Sequence, residues 1–205
     1  ENIMLLQFVV QNYASIKDEV ILSFEPSSDQ EHPENILYKG KYKAGGITAI
    51  YGANASGKTN VYKAMTMALV ILRSSNIRQI NDQIPTVPFK FNTESVSSPS
   101  RFEFTFVAND GKKYIYGFSA DQYKVHEEYL YRYNTSRPAL VFDRKGAEYK
   151  FARSERRFLD PLVRMNTENK LFLATATAWN AESTTIPYRW LAEGIDAYTN
   201  DENLT

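Results

Sequence analysis

Residues 52 to 59 read Gly-Ala-Asn-Ala-Ser-Gly-Lys-Thr, the spacing G-x-x-x-x-G-K-[ST] that a polypeptide uses to cradle phosphates. Each residue type has a task there. Gly52 and Gly57 let the backbone turn tightly with no Cβ in the way, so that the N–H groups of the loop Ala53, Asn54, Ala55 and Ser56 converge into an anion-binding nest. Lys58 sets an ammonium against the β- and γ-phosphates, and the start of the following helix adds its partial positive charge. Thr59 offers a hydroxyl to magnesium, which bridges β- and γ-oxygens. The ligand these groups suit is a nucleoside triphosphate, ATP with Mg2+, and Lys58 is the catalytic candidate.

Such a loop works only between a strand and a helix, and the flanks supply both expectations. Ile47 to Tyr51 is a short apolar run that ends at the first glycine, and from Lys58 the apolar residues Val61, Met65, Ala68, Leu69 and Leu72 recur at spacings of three and four, which predicts a helix over 58–73. Upstream, 3–13 and 18–25 are two β-rich runs suited to a hairpin. Downstream, 74–100 carries Pro85, Pro88 and Pro99 and predicts an irregular connection with one strand at 89–91. Phe102, Phe104 and Phe106 then alternate with polar residues, Asn109-Asp110-Gly111 gives a turn, and Tyr114, Tyr116 and Phe118 alternate again. Runs at 123–133 and 140–151 extend this antiparallel region. The last fifty or so residues predict helices at 155–165, 168–179 and 188–198.

Composition sets the class. The chain has 205 residues, 43% of them hydrophobic and 23% charged, as in ordinary globular proteins. Twenty-four basic and twenty-four acidic residues cancel, so no global field draws it to nucleic acid or anionic lipid. With no cysteine and two histidines, thiolate metal sites, cysteine nucleophiles and histidine clusters are excluded. The apolar run at 3–10 is broken by Gln7 and reads as a strand, not a signal peptide, and 64–72 is too short to span a bilayer. The expectation is a cytoplasmic protein with no membrane partner.

The stretch Gly52-Ala-Asn54-Ala-Ser-Gly57-Lys58-Thr59-Asn60 resembles the G-x-N-x-x-G-K-[ST]-N form of ABC-type ATPase heads: the SMC and RecF proteins, the overcoming-lysogenization-defect nucleases and the "AAA family" ATPases of bacterial phage-defence operons. Phe8 to Asp18 is similar to their first strand with its Asn-Phe-x-Ser element. Pro88-Phe89, Phe102 to Phe106, Tyr114 to Phe118 and Glu128-x-Leu130 resemble the defence-associated group. The resemblance implies an α/β P-loop NTPase first lobe with a mixed sheet, an antiparallel β-subdomain and C-terminal helices. That divides the chain into an ATP-binding lobe over 1–152 and a helical segment over 153–205. It also implies that Asn54 faces the γ-phosphate, that Asn60 belongs to the motif, that Asn12 and Tyr13 lie near the base, and that a magnesium-ligating glutamine exists, for which Gln83 and Gln122 are the candidates. Family members often carry a basic residue where this chain has Ala14, and Lys17 is the available substitute. ATP-bound heads of this kind pair as homodimers and work with an effector or nuclease partner or with DNA.

The chain lacks an LSGG-type signature, an apolar strand ending in Asp-Glu and a switch histidine. Asp18-Glu19 and Asp201-Glu202 follow polar residues. Without an Asp to order magnesium and a Glu to position water, a P-loop holds ATP but hydrolyses it poorly, so the expectation is the N-terminal part of a longer ATPase, inactive alone. A nucleotide-sensing module that docks a partner without hydrolysis fits equally well. A GTPase is disfavoured, because Asn169-Lys170-Leu171-Phe172 lacks the guanine-reading Asp. Among the remaining features, the alternating aromatics suit a sheet core better than a base-stacking platform. Arg144, Lys145, Lys150, Arg153, Arg156, Arg157 and Arg164 form the one local basic concentration, a partner surface or a mixed solvated face. His32 and His126 stand alone, and Glu127 and Glu128 point to opposite faces of a strand.

Overall fold

The computed structural model describes residues 4–26, 33–48 and 58–196, so the loop 52–57 and the strand expected before it, beyond Thr48, lie outside the described residues. In chain order the elements are β1 (Met4–Gln11), β2 (Val20–Ser23), β3 (Ile36–Lys39), β4 (Tyr42–Gly45), α1 (Lys58–Arg73), a single turn α2 (Thr93–Val96), β5 (Ser100–Val107), β6 (Lys113–Ala120), β7 (Val125–Tyr133), β8 (Pro138–Lys145), β9 (Glu148–Phe151), α3 (Arg153–Leu159), α4 (Phe172–Ala178) and α5 (Glu182–Gly194). The larger sheet has seven strands in the order β2-β1-β5-β6-β7-β8-β9.

Every described pairing in it is antiparallel, whereas the sequence predicts a mixed sheet whose strand into the P-loop lies outside the described residues. The reason lies in the path from β1 to β5. After α1, the irregular segment 74–99 returns to the end of the sheet at which β1 finished, where the Asn12 side chain holds it. β5 therefore starts where β1 stops and runs back beside it. No strand forms at 89–91; Phe89 and Phe91 instead meet edge-on at 5.8 Å between ring centroids.

Alternation decides which face is covered. Phe102, Phe104, Phe106, Tyr114, Tyr116 and Phe118 all fall on one face and are buried with Phe8, Leu130 and Phe142 beneath α1, α4 and α5, so they are core and not a stacking platform. Each phenyl ring removed from water there contributes about 2–3 kcal/mol. On the opposite face Val107 and its partner Met4 pack with Leu6 against Ala44 of the β3–β4 hairpin. Gly117 has a further reason to lack a side chain: a Cβ there would sit 2.4 Å from the Tyr129 ring of the neighbouring strand.

A buried charge pair joins the helices to the sheet. Glu128, on the inner face of β7, accepts hydrogen bonds from the Phe172 N–H at 2.6 Å, the Leu173 N–H at 2.8 Å and the Tyr116 hydroxyl at 3.0 Å. Its carboxylate lies 3.5 Å from the Arg144 guanidinium. Arg144 in turn donates to the carbonyls of Gly146, Lys170 and Glu168. Desolvation pushes the Glu128 carboxyl above its ordinary range, against the pull of Arg144 and the two N–H groups. Glu127, one residue earlier, is exposed and pairs with Lys145, as the strand period requires. Arg144 is thus withdrawn from the basic concentration read from the sequence: at 2% exposure it belongs to the interior.

The first two of the C-terminal helices are shorter than their sequence patterns suggest, whereas α5 has 13 residues and starts at Glu182, six residues before the helix expected at 188–198. Residues 155–165 divide at Pro161 into α3 and a 3-10 segment, Asp160–Met165, since proline cannot continue the hydrogen-bond ladder. Residues 166–171 are a loop whose carbonyls serve Arg144 and Arg78, and α4 starts at Phe172.

Candidate nucleotide-binding site

The C-terminal part of the phosphate motif is described, and it forms the start of α1 as the periodicity predicts. Lys58 and Asn60 are half-buried, and Thr59 is exposed. No acidic residue occupies the first turn, so the positive end of the helix dipole is not offset locally, the electrostatic condition for an anion at that end. Gly52, Ala53, Asn54, Ala55, Ser56 and Gly57 lie outside the described residues.

The helix start is tied to the loop that follows β1. The Asn60 side-chain amide donates to the Ser15 hydroxyl. Nothing in the local pattern pairs these two residues, which lie 45 positions apart; only the fold brings them together. The loop itself is tightly wound. Asn12 and Ala14 adopt φ of 53° and 52°, the left-handed region that Asn enters with little cost and Ala with more. Tyr13 and Ile16 close the turn with two backbone bonds of 2.8 Å.

Asn12 and Tyr13, expected near a base, are used structurally. The Asn12 amide donates to the carbonyls of Ser95 at 2.8 Å, Ser98 at 2.9 Å and Pro99 at 3.3 Å, its side-chain oxygen accepts the Phe89 N–H at 3.0 Å, and its carbonyl accepts the Ser100 hydroxyl at 2.6 Å. Its side chain is satisfied by backbone and clamps 89–99 against the end of β1. The Tyr13 ring packs edge-on against Phe102, and burial raises its phenol pKa. Lys17 is exposed, whereas the Ala14 N–H is occupied by the Val87 carbonyl at 2.7 Å.

The two glutamine candidates come together without being separated by the structure. Both are exposed, and the Ile84 N–H, beside Gln83, donates to the Gln122 carbonyl at 2.9 Å. Gln122, but not Gln83, lines a cleft of about 500 Å³ together with Thr86, Lys90 and Tyr123. Among the described residues no group of three His, Cys, Asp or Glu could hold a metal ion, and His126 is bonded to Asp121 at 2.6 Å. His32 lies outside the described residues. No described helix is long and apolar enough to cross a membrane.

A family model described as "AAA domain, putative AbiEii toxin, Type IV TA system" matches residues 47–182. No curated protein matches the chain. The matched region holds the whole 52–59 motif, α1, strands β5 to β9 and α4. Covering more than half of the 205 residues, it shows that the chain belongs to this family of AAA-type P-loop ATPase domains, found in phage-defence and toxin–antitoxin systems.

Proposed function

We propose that the chain binds ATP with magnesium through Gly52 to Thr59 as the nucleotide-holding lobe of an ABC-type ATPase, and that it hydrolyses ATP poorly by itself. The observation that carries the reading is the run of the motif directly into α1, with Lys58 and Thr59 in a first turn free of carboxylates. The residues present fit the group: Lys58 would meet the β- and γ-phosphates, and the Thr59 hydroxyl would take one position on magnesium. The ion would supply charge neutralisation at the γ-phosphate. Asn60 is held by Ser15, which ties the first turn of α1 to the loop after β1.

The test is binding of a fluorescent ATP analogue with and without magnesium, beside Lys58→Ala. Saturable binding weakened at least about tenfold in Lys58→Ala supports the reading, given the strength of charge-assisted phosphate contacts. A wild-type chain that binds no triphosphate at millimolar concentration refutes it. Turnover by the chain alone, abolished by Lys58→Ala, would show that the hydrolytic groups lie within these residues after all.

The second reading, a nucleotide-sensing module that docks a partner without hydrolysis, is favoured by the lack of an Asp-Glu pair on an apolar strand. It predicts binding with no turnover under any condition. In either case we place the chain in an ATP-controlled defence switch that pairs with a second copy of itself and acts on an effector or on DNA. The exposed cations Lys150, Arg153, Arg156, Arg157 and Arg164 are the surface from which a DNA contact would be sought.

A further inference from the structure

The larger sheet ends at β2 and β9, and its β9 end is marked by charge. β9 has no strand beyond it among the described residues, and it carries neither proline nor bulge, two devices that keep an edge from pairing. It follows β8 through a two-residue turn in which Gly146 has φ 58°. In a hairpin of that length the flanking residues, Lys145 and Glu148, exchange backbone bonds. Alternation then turns the N–H and C=O groups of Tyr149 and Phe151 outward, and they make no backbone bond to any other segment among the described residues. A cleft of about 490 Å³, lined by Ala147, Tyr149, Pro161 and Val163, lies between this edge and the 3-10 segment.

The outer face of the sheet at this end is an array of alternating sign. Across one row stand Glu127, Lys145 and Glu148, and across the next Asp143 and Lys150; Glu127 and Lys145 are 3.4 Å apart. The first row stops at the edge on a negative charge, and the second stops on a positive one two residues further along the same strand. Glu148 and Lys150 are both exposed. Such an edge is complementary to itself, as an isologous contact requires. When two copies of β9 lie antiparallel with Tyr149 opposite Tyr149, Glu148 of each faces Lys150 of the other. Each row of one copy then runs into the other row of the second copy with no break in the alternation. The outward backbone groups of Tyr149 meet each other, and those of Phe151 meet Ala147. The neighbouring registers that keep these groups paired set Lys150 against Lys150 or Glu148 against Glu148, which like-charge repulsion opposes.

We propose that β9 is a self-recognition edge, at which a second copy of this chain extends the sheet across a two-fold axis. The contact needs no nucleotide and is distinct from the pairing of ATP-bound heads. The arginine-rich α3 does not oppose it. That helix starts at Arg153, past the end of β9, so the two copies of α3 begin at opposite ends of the contact, on the order of 25 Å apart.

Sedimentation velocity on the 205-residue chain gives the test, with and without ATP and magnesium, over roughly 1 µM to 1 mM. A monomer–dimer equilibrium that ATP leaves unchanged is expected. Lys150→Glu puts carboxylate opposite carboxylate, and Glu148→Lys puts ammonium opposite ammonium, so each variant alone should dimerise at least about tenfold more weakly. An equimolar mixture of the two variants has opposite charges at both positions and should dimerise again, as a heterodimer. Because both positions are exposed, neither change should disturb the fold, and circular dichroism verifies this. A chain that is monomeric at the highest concentration overturns the proposal. So does a dimer that forms only with ATP, a dimer that neither reversal weakens, or a mixture that associates no better than its components. Triphosphate binding is read separately, so failure here leaves the P-loop reading standing.

Discussion

Replacing Arg144 by Met should cost the protein about 4 kcal/mol, the range measured when one partner of a buried ion pair is removed. Arg144 is 2% exposed and faces a Glu128 carboxylate at 0%. Its three carbonyl acceptors, on Gly146, Lys170 and Glu168, would also lose their donor. For a chain of this size each kcal/mol moves the unfolding midpoint by roughly 2–4 °C, so the expected drop is on the order of 8–16 °C. Lys145→Met is the matched control. Its pair with Glu127 sits one residue along on both strands but is 63% and 48% exposed, and such pairs contribute about 0–1 kcal/mol.

The pH dependence follows from the same geometry. Burial already raises the Glu128 carboxyl, and Arg144 is the largest influence lowering it. Without Arg144 the folded-state pKa rises further above its unfolded value. A group raised in this way contributes stability that is full below the unfolded pKa and is lost as pH rises through the folded one. The deficit of Arg144→Met relative to Lys145→Met should therefore be larger at pH 8 than at pH 5. Thermal melts followed by near-ultraviolet circular dichroism measure both effects. Equal midpoints for the two variants, or a deficit that grows on acidification, would refute the reasoning. The double variant Glu128→Gln, Arg144→Met should lose less than the sum of its parts, because each single change leaves an unpaired buried charge and the double change leaves none.

Asn12→Asp keeps the shape of the clamp but turns a donor toward three carbonyls into an acceptor; a loss of about 2–3 kcal/mol and faster proteolysis within 86–99 are expected. Gly117→Ala drives a methyl into the Tyr129 ring and should cost roughly 1–3 kcal/mol in chemical denaturation, most of it recovered when Tyr129→Ala is added. Arg73→Met removes the guanidinium that binds the carbonyls of Ala192 and Ile195 at the end of α5; hydrogen exchange at 190–196 should accelerate while β5 and β6 keep their protection.

What the sequence makes legible is whatever depends on neighbours in the chain. The β5–β6 hairpin follows from alternation around Asn109-Asp110-Gly111, and α1 follows from the spacing of Val61, Ala68, Leu69 and Leu72. Side chains whose partners lie far off cannot be placed that way. Arg144 looks like one member of a basic run because the groups that bury it, Glu128 and the carbonyls of 168–170, come from another strand and a distant loop. Asn12 is placed near a base by the resemblance alone, and the clamp its side chain forms has partners 77 to 87 positions away that no local pattern shows. The direction of β5 is illegible for the same reason, since it is set by where the clamped segment delivers the chain. At the candidate site the motif and the helix that carries it could be read locally, while the Ser15–Asn60 tie could not.

The Glu128 carboxylate also bears on the order in which the chain folds. α4 has seven residues and no side-chain cap of its own at Leu171, and a helix so short does not persist alone in water. The acceptor for its first N–H groups sits 44 and 45 positions earlier, on β7. The helix therefore has nothing to nucleate on until β7 is seated beside β6 and the Tyr116 hydroxyl is in reach. In refolding kinetics, protection of the α4 amides should trail that of the β6–β7 ladder, the opposite of the common sequence in which local helices precede long-range sheet.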